Sequence, residues 1–162
     1  MTEAEKLLAL ASKAAQITFK AFGSVIPVFT VMNAEGGCFP IHWDIDFTPD
    51  NKDVVAARMR EVLHDYEIVR YAFATEAWIV DGTKLPDGGA SAVRMSERGE
   101  SLGNHPDRSE VLLIEVEDRE TKEHYRREYR ILRPEHGEPT LAPPRDVPTS
   151  PDEIGRFTHL FE

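Results

Sequence analysis

Three side chains that can bind metal ions alternate along one short stretch of the chain: His42, Asp44 and Asp46. Alternate residues of a β-strand point to the same side, so one imidazole and two carboxylates could approach a divalent cation together. Side chains two positions apart are separated by roughly 7 Å along a strand, however, which is too far for three of them to bind one ion without other ligands. Since the opposite side of this stretch is strongly apolar, we interpret the three residues as the solvated face of a strand and predict no metal site.

His105 is the second candidate, because a histidine next to a flexible loop can act as a general base or respond to pH. An enzyme built on this loop would use His105 together with Glu76. Asn104 and Pro106 on either side are typical turn residues, however, and Asp107 could accept hydrogen bonds from nearby backbone amides. We therefore favour a structural turn over a catalytic centre.

Other motifs for catalysis or cofactor binding do not occur in the sequence. Cys38 is the only cysteine, which excludes an internal disulfide and every metal site built from several cysteines. His42 lies four residues further along an extended chain, too far to activate the thiol, so we interpret Cys38 as a small apolar residue. The chain has neither a Gly-x-Ser-x-Gly nucleophile motif nor a glycine-rich phosphate loop. We predict no catalytic residue and no cofactor.

The one basic stretch of the chain could bind an anion, or could stack nucleic-acid bases on a sheet surface. It interleaves four arginines with two tyrosines: Arg126, Arg127, Arg130, Arg133, Tyr125 and Tyr129. The whole chain carries 29 acidic and 19 basic side chains, a net charge of -10, which repels phosphate groups at long range. We therefore predict ion pairs with the glutamates of the preceding strand and no binding of nucleic acid.

The elements that would position these residues can be predicted from hydrophobic spacing and from turn residues. Thr2 and Glu5 form a capping box, and the apolar residues that follow at helical spacing predict a first helix that ends before Gly23. Residues 25–33 are apolar on both faces and residues 39–47 alternate, which predicts two strands joined by a hairpin loop. A second helix begins near residues 49–50, and three more strands occupy residues 68–80, 110–117 and 124–132.

This order of elements predicts an α+β fold, a mostly antiparallel sheet of about five strands with helices packed on one face. The length of 162 residues fits one domain, which we assign to residues 1–133. Residues 134–162 form a proline-rich arm that ends in a short amphipathic helix. Residues 81–109 contain several glycines and few large apolar residues, so we expect a long irregular loop that is functional or mobile.

The pairing of the last two strands of this domain can be predicted from the parity of their apolar residues. A slip of one residue turns every side chain of a strand over, so burial on one face fixes the register. The register that leaves residues 119–122 as the loop places Glu115 opposite Arg126 and Glu117 opposite His124. We expect such pairs to be exposed and to contribute only about 0.2–1 kcal/mol each, so that burial sets the register and charge does not.

Three segments in the second half of the chain resemble small uncharacterised bacterial and phage-borne α+β proteins. They are Glu76-Ala77-Trp78, the stretch His-Pro-Asp-Arg-Ser-Glu-Val at residues 105–111, and the Glu117-Asp118-Arg119 turn. The resemblance covers the strands after Ile68. It implies no activity, since no role is established for such proteins.

The sequence favours a non-enzymatic interaction or regulatory module, because a catalytic set is missing while the first strand is apolar on both faces and the arm ends in an amphipathic segment. We expect that segment to dock on the first strand, either within one chain or in a homodimer. The predicted partner-binding residues are Val25, Phe29, Val31, Ile154, Phe157, Leu160 and Phe161. The alternative is a small hydrolase-like enzyme with its site in residues 81–109.

The cellular location follows from the N-terminus and from cysteine usage. The first residues are acidic where an export signal would be basic, and the longest apolar runs are far too short to cross a bilayer. A single free cysteine is typical of a reducing compartment. We therefore expect a cytoplasmic protein without membrane contact, whose partner is another protein or a second copy.

Overall fold

A long central strand with a partner on each side organises the fold. The computed structural model describes residues 1–42, 51–149 and 160–161, which form three α-helices and seven β-strands. The elements are α1 (Glu3–Phe22), β1 (Val28–Asn33), β2 (Cys38–Ile41), α2 (Lys52–Asp65), β3 (Ile68–Ile79), α3 (Ala90–Glu97), β4 (Ser109–Asp118), β5 (His124–Leu132), β6 (Thr140–Leu141) and β7 (Arg145–Val147). None of the helices in these residues has the length and the apolar composition that a bilayer span requires.

The first helix, α1, begins and ends where the sequence predicts. The Thr2 hydroxyl accepts a hydrogen bond from the Glu5 amide, and the Glu5 carboxylate accepts one from the Thr2 amide, which completes the capping box. At the other end Gly23 takes a left-handed conformation with φ 72°, and its N–H donates to the carbonyl of Phe19. Both signals act over a few residues, which is why the sequence alone predicts them.

The strands form an antiparallel sheet in the order β2-β1-β3-β4-β5-β6, and β7 also pairs with β5. β3 is central because it pairs with β1 on one side and with β4 on the other. The predicted register of β4 and β5 is confirmed, since Glu115 lies opposite Arg126 and Glu117 opposite His124. The α+β class is confirmed too, with more strands than the expected five.

The two long helices lie on opposite faces of the sheet, which corrects the expected placement on one face. α1 packs on the face that carries Ala72 and Ala74 of β3, which we call the first sheet face. α2 packs on the face that carries Tyr71 and Phe73, which we call the second sheet face. Successive residues of a strand point to opposite sides, and β3 is buried at every position from Ile68 to Ala74, so it needs cover on both faces.

The additional strands come from the proline-rich arm. β6 pairs with the end of β5 and β7 with its middle, so the arm follows the edge of the sheet as far as Val147. The Thr149 hydroxyl then donates a hydrogen bond to the carbonyl of His124 at 3.0 Å. Residues 43–47 of the predicted second strand, and residues 150–159 of the predicted C-terminal helix, lie outside the described residues.

Residues 81–109, which we expected to be irregular, contain α3 between two short 3-10 helices. Gly89 is the N-cap of α3, and the Asp87 carboxylate accepts hydrogen bonds from the amides of Gly89 and Ser91 at the start of the helix. Ala92 is the one buried residue of this helix. A helix that buries a single small side chain has no apolar stripe, so hydrophobic spacing could not predict it.

Candidate functional site

The second sheet face divides into an apolar half and a charged half. On β1 and β3 it carries four buried apolar or aromatic residues: Phe29, Val31, Tyr71 and Phe73. Directly opposed residues of neighbouring strands point to the same side of a sheet. The residues that continue the second sheet face on β4 and β5 are ionisable. These are Glu115, Glu117, His124 and Arg126. An apolar surface bordered by a few polar groups is typical of a binding site.

Two residues near the C-terminus dock on the apolar half. Leu160 is 2% exposed and packs into the cluster formed by β1, β3 and α2. The Phe161 ring centroid lies 5.3 Å from that of Tyr71, at an interplanar angle of 55°. The guanidinium carbon of Arg119 lies 5.8 Å from the centroid of the Phe161 ring. An aliphatic side chain is thus enclosed, and the aromatic side chain next to it contacts both a ring and a cation.

The Tyr71 hydroxyl joins the apolar half to the charged half. It accepts a hydrogen bond from the Leu160 amide, with nitrogen and oxygen 3.5 Å apart, and donates one to the Glu117 carboxylate. Burial, and after it the negative charge of Glu117, raises the pKa of the Tyr71 hydroxyl far above its ordinary value of about 10. The hydroxyl therefore stays neutral and links the main chain of the docked segment to a buried carboxylate.

The Glu115–Arg126 pair dominates the charged half, and it is buried where we expected exposed pairs. Glu115 is only 5% exposed, and its Oε1 accepts a hydrogen bond from Arg126 Nε at 2.7 Å. Further along β5, Glu128 accepts a hydrogen bond from Arg145 of β7 at 3.0 Å. The Glu115–Arg126 pair is buried because this side of β4 belongs to the second sheet face, whose cover the strand register does not predict.

The predicted partner-binding residues are brought together in part. Phe29 and Val31 of β1 share one buried cluster with Leu160, and Phe161 packs against that cluster. We therefore place the candidate site at this contact, and call the surface of β1, β3 and α2 under Leu160 the groove. Ile154 and Phe157 lie outside the described residues.

Val25, by contrast, does not line the groove. It precedes β1, so the alternation of that strand does not carry its side chain to the second sheet face. The side chain packs instead in the cluster under α1. Its amide donates a hydrogen bond to the Glu76 carboxylate at 3.1 Å, which fixes the chain as it enters the sheet.

Glu76 and His105, which the enzymatic alternative would use, each bind a backbone amide and share no hydrogen-bond partner. Glu76 binds the Val25 amide, as described above. His105 is 3% exposed, its Nδ1 accepts a hydrogen bond from the Asp107 amide at 3.1 Å, and its Nε2 lies 3.0 Å from the Ser91 hydroxyl oxygen. Because Nδ1 accepts, the proton of a neutral ring lies on Nε2 and is donated to the serine. A ring in that form cannot take a proton from Ser91, so His105 joins α3 to the turn before β4.

The structure describes only one of the three candidate metal ligands on the predicted second strand. His42 is exposed, and Asp44 and Asp46 lie outside the described residues, so the absence of a metal site there stays a prediction. Within the described part of the chain, no group of three or more histidine, cysteine, aspartate or glutamate side chains is arranged to hold a metal ion. Cys38 is exposed at the start of β2, the edge strand of the sheet.

A cleft of about 280 Å³ opens at the opposite edge of the sheet, where β7 leaves β5. Arg126 and Asp146 contribute charged groups to its wall. Both are already paired, Arg126 with Glu115 and Asp146 with Arg127. A charged ligand in this cleft would compete with these pairs, which makes the groove the better candidate for a binding site.

No sequence pattern identifies Tyr71 or Arg119 as a site residue. Tyr71 meets Glu117 only through the register of β3 with β4, and no pattern within either strand reveals that pairing. Arg119 lies in the turn after β4, and the side chains of turns are usually solvated. A tyrosine next to Phe73 on the apolar face of β3 was the one available signal, since a buried hydroxyl needs a hydrogen-bond partner.

No family model, curated protein or solved structure matches this chain significantly. The resemblance to bacterial and phage-borne proteins therefore stays a prediction.

Proposed function

We propose that the protein is a non-enzymatic interaction module, and that the groove binds a short apolar segment of a partner protein in exchange for its own tail, residues 150–161. The observation that carries the proposal is the burial of Leu160 in the groove. A surface that encloses a peptide side chain and also binds its main-chain amide has the features of a peptide-recognition site.

The path of the chain supports an exchangeable tail. Thr149 is bound to β5, whereas Leu160 lies at β3, two strands away, which corresponds to a distance of about 10 Å. About ten extended residues can span roughly 33 Å, so the connection is much longer than the distance requires. Because the tail belongs to the same chain, it reaches the groove in an intramolecular step and is favoured over a free peptide of the same sequence. The tail can therefore stay docked although its intrinsic affinity is low.

The docked contact is also small enough to be displaced. Burying one leucine side chain stabilises the docked state by about 1.5–3 kcal/mol before the ordering of the tail is subtracted. Phe161 remains partly exposed, and the hydrogen bond from the Leu160 amide to the Tyr71 hydroxyl is long. A partner segment that presents the same two side chains and makes further contacts outside the groove would bind more strongly than the tail.

The test uses a fluorescein-labelled peptide of residues 150–162 and measures its anisotropy as full-length protein is added. In the wild type the tail competes for the groove, so we expect weak binding. In the double variant Leu160→Ala, Phe161→Ala the tail no longer fills the groove, and we expect the peptide to bind at least tenfold more tightly. The matched control is Leu132→Ala, which removes an equal side chain from an exposed position and should bind like the wild type.

Circular dichroism checks that the double variant folds, and Phe161→Ala alone serves as a milder variant if it does not. Equal peptide binding by a folded variant and by the wild type would contradict the proposal. Light scattering tests the remaining possibility, in which the partner is a second copy of this chain. A wild type that dimerises, and a double variant that is monomeric, would show that the groove takes the tail of another copy.

A further inference from the structure

We propose that Arg119 makes the groove selective for an aromatic side chain directly after the enclosed aliphatic one. This inference rests on the proposed function, and it names the partner class: a protein segment with an aliphatic residue followed by phenylalanine, tyrosine or tryptophan. The juxtaposition that carries it is the Phe161 ring, which has the Tyr71 ring and the Arg119 guanidinium as its neighbours.

The two contacts of Phe161 differ in what they demand of the ligand. Tyr71 offers an aromatic surface with centroids 5.3 Å apart, and any apolar side chain of the right size gains by covering it. Arg119 offers a cation 5.8 Å from the ring centroid, within the range of about 6 Å at which a cation is attracted to the face of an aromatic ring. Only an aromatic side chain has the negative face that attracts this cation.

The surroundings of Arg119 keep its guanidinium available for that contact. Other arginines of the sheet are ion-paired, such as Arg126 with Glu115 and Arg127 with Asp146. In the described part of the chain Arg119 has no carboxylate partner within ion-pair distance, and its guanidinium contacts the ring. Among these residues, no carboxylate competes with the ring face for this cation.

The backbone of the turn fixes the position of Arg119. Its amide donates to the carbonyl of Val69 at 2.9 Å, which ties the residue to the end of β3. The Asp118 carboxylate accepts hydrogen bonds from the amides of Glu120 and Thr121 at 2.8 and 3.0 Å. A turn held in this way fixes the backbone from which the guanidinium reaches the Phe161 ring, so Arg119 acts as a specificity-determining residue.

The experiment measures peptide binding to the Leu160→Ala, Phe161→Ala protein, which we call the host. The probes are three labelled peptides of residues 150–162 with phenylalanine, tryptophan or cyclohexylalanine at position 161. Tryptophan gives the strongest cation–π attraction. Cyclohexylalanine, which is similar in size to phenylalanine, gives none. We expect the phenylalanine peptide to bind about two- to fivefold more tightly than the cyclohexylalanine peptide, and the tryptophan peptide at least as tightly as phenylalanine.

The same series on the host with Arg119→Gln should show no preference between phenylalanine and cyclohexylalanine. Arg119→Lys should retain part of the preference, and Arg94→Gln, which removes an exposed charge from α3, should leave it unchanged. If the host binds both peptides equally, or if Arg119→Gln keeps the preference, the selectivity is refuted while the groove itself stands. If no peptide binds a folded host, the proposed function fails as well.

Discussion

Replacing Asp118 by alanine tests how the turn beside the groove is held. The Arg70 and Asp118 side chains are 8% and 1% exposed and form an ion pair between β3 and β4. Oδ1 of the same carboxylate binds the amides of Glu120 and Thr121 in the turn. One side chain therefore compensates a buried cation and also shapes the turn that carries Arg119.

The expected loss is large because the variant leaves the Arg70 charge buried. Removing one partner of a buried ion pair costs about 3–5 kcal/mol. Glu120 lies 2.7 Å from the same guanidinium but is half exposed, so we expect it to reduce the loss and place the effect near the lower end of that range. For a chain of this length a loss of about 3 kcal/mol lowers the melting temperature by roughly 6–12 °C.

Urea unfolding followed by circular dichroism measures the change, with Asp146→Ala as the matched control. Asp146 forms a two-bond pair with Arg127, at 2.7 and 3.1 Å, but is 65% exposed, so its loss should cost no more than about 1 kcal/mol. Asp118→Asn keeps an oxygen for the turn amides and should fall between the two. Equal losses for Asp118→Ala and Asp146→Ala would refute the argument that burial decides the size of the effect.

Three further changes test other parts of the structure. Because the folded state raises the pKa of the Tyr71 hydroxyl, the neutral hydroxyl stabilises the fold below pH 10, and this stability is lost as the pH rises further. The melting temperature should therefore fall more steeply above pH 10 for the wild type than for Tyr71→Phe. At Gly89, with φ 90°, an alanine Cβ would come within 2.8 Å of a backbone Cα, so Gly89→Ala should reduce the melting temperature by several degrees more than Gly88→Ala, where nothing lies within 4 Å. His105→Ala should speed hydrogen exchange in α3 and leave β3 protected, because the buried ring connects that helix to the sheet; unchanged exchange in α3 would count against this role.

The register of β4 and β5 could be predicted because two independent patterns agree on it. Leu112 and Ile114 must share a face with Tyr129, and the same register sets Glu115 opposite Arg126. Any other pairing with the same parity would move the turn away from the polar residues 119–122. The parity and the polar turn together leave one solution, and both can be read from the sequence.

The placement of the helices could not be predicted in the same way. The apolar stripes of α1 and α2 show that each must be covered, but a stripe contains no information about which sheet face will cover it. β3 has apolar residues of both parities, such as Ala72 and Phe73, so it accepts a helix on either side. The contact between Tyr71 and Glu117 could not be predicted for a related reason, since it depends on the register of two strands that are far apart in sequence.

The separation of the two cores explains how the tail could leave without unfolding the protein. The cluster under α1 joins that helix to β3, β4 and β5, and contains neither Leu160 nor Phe161. The groove shares β3 with this cluster but uses residues of opposite parity, so the strand keeps one covered face when the other is opened. Loss of the tail therefore removes a contact at the edge of the second cluster, while the first cluster and the strand pairing remain. Local opening of this kind needs less free energy than global unfolding, which is the condition for exchange of the tail with a partner.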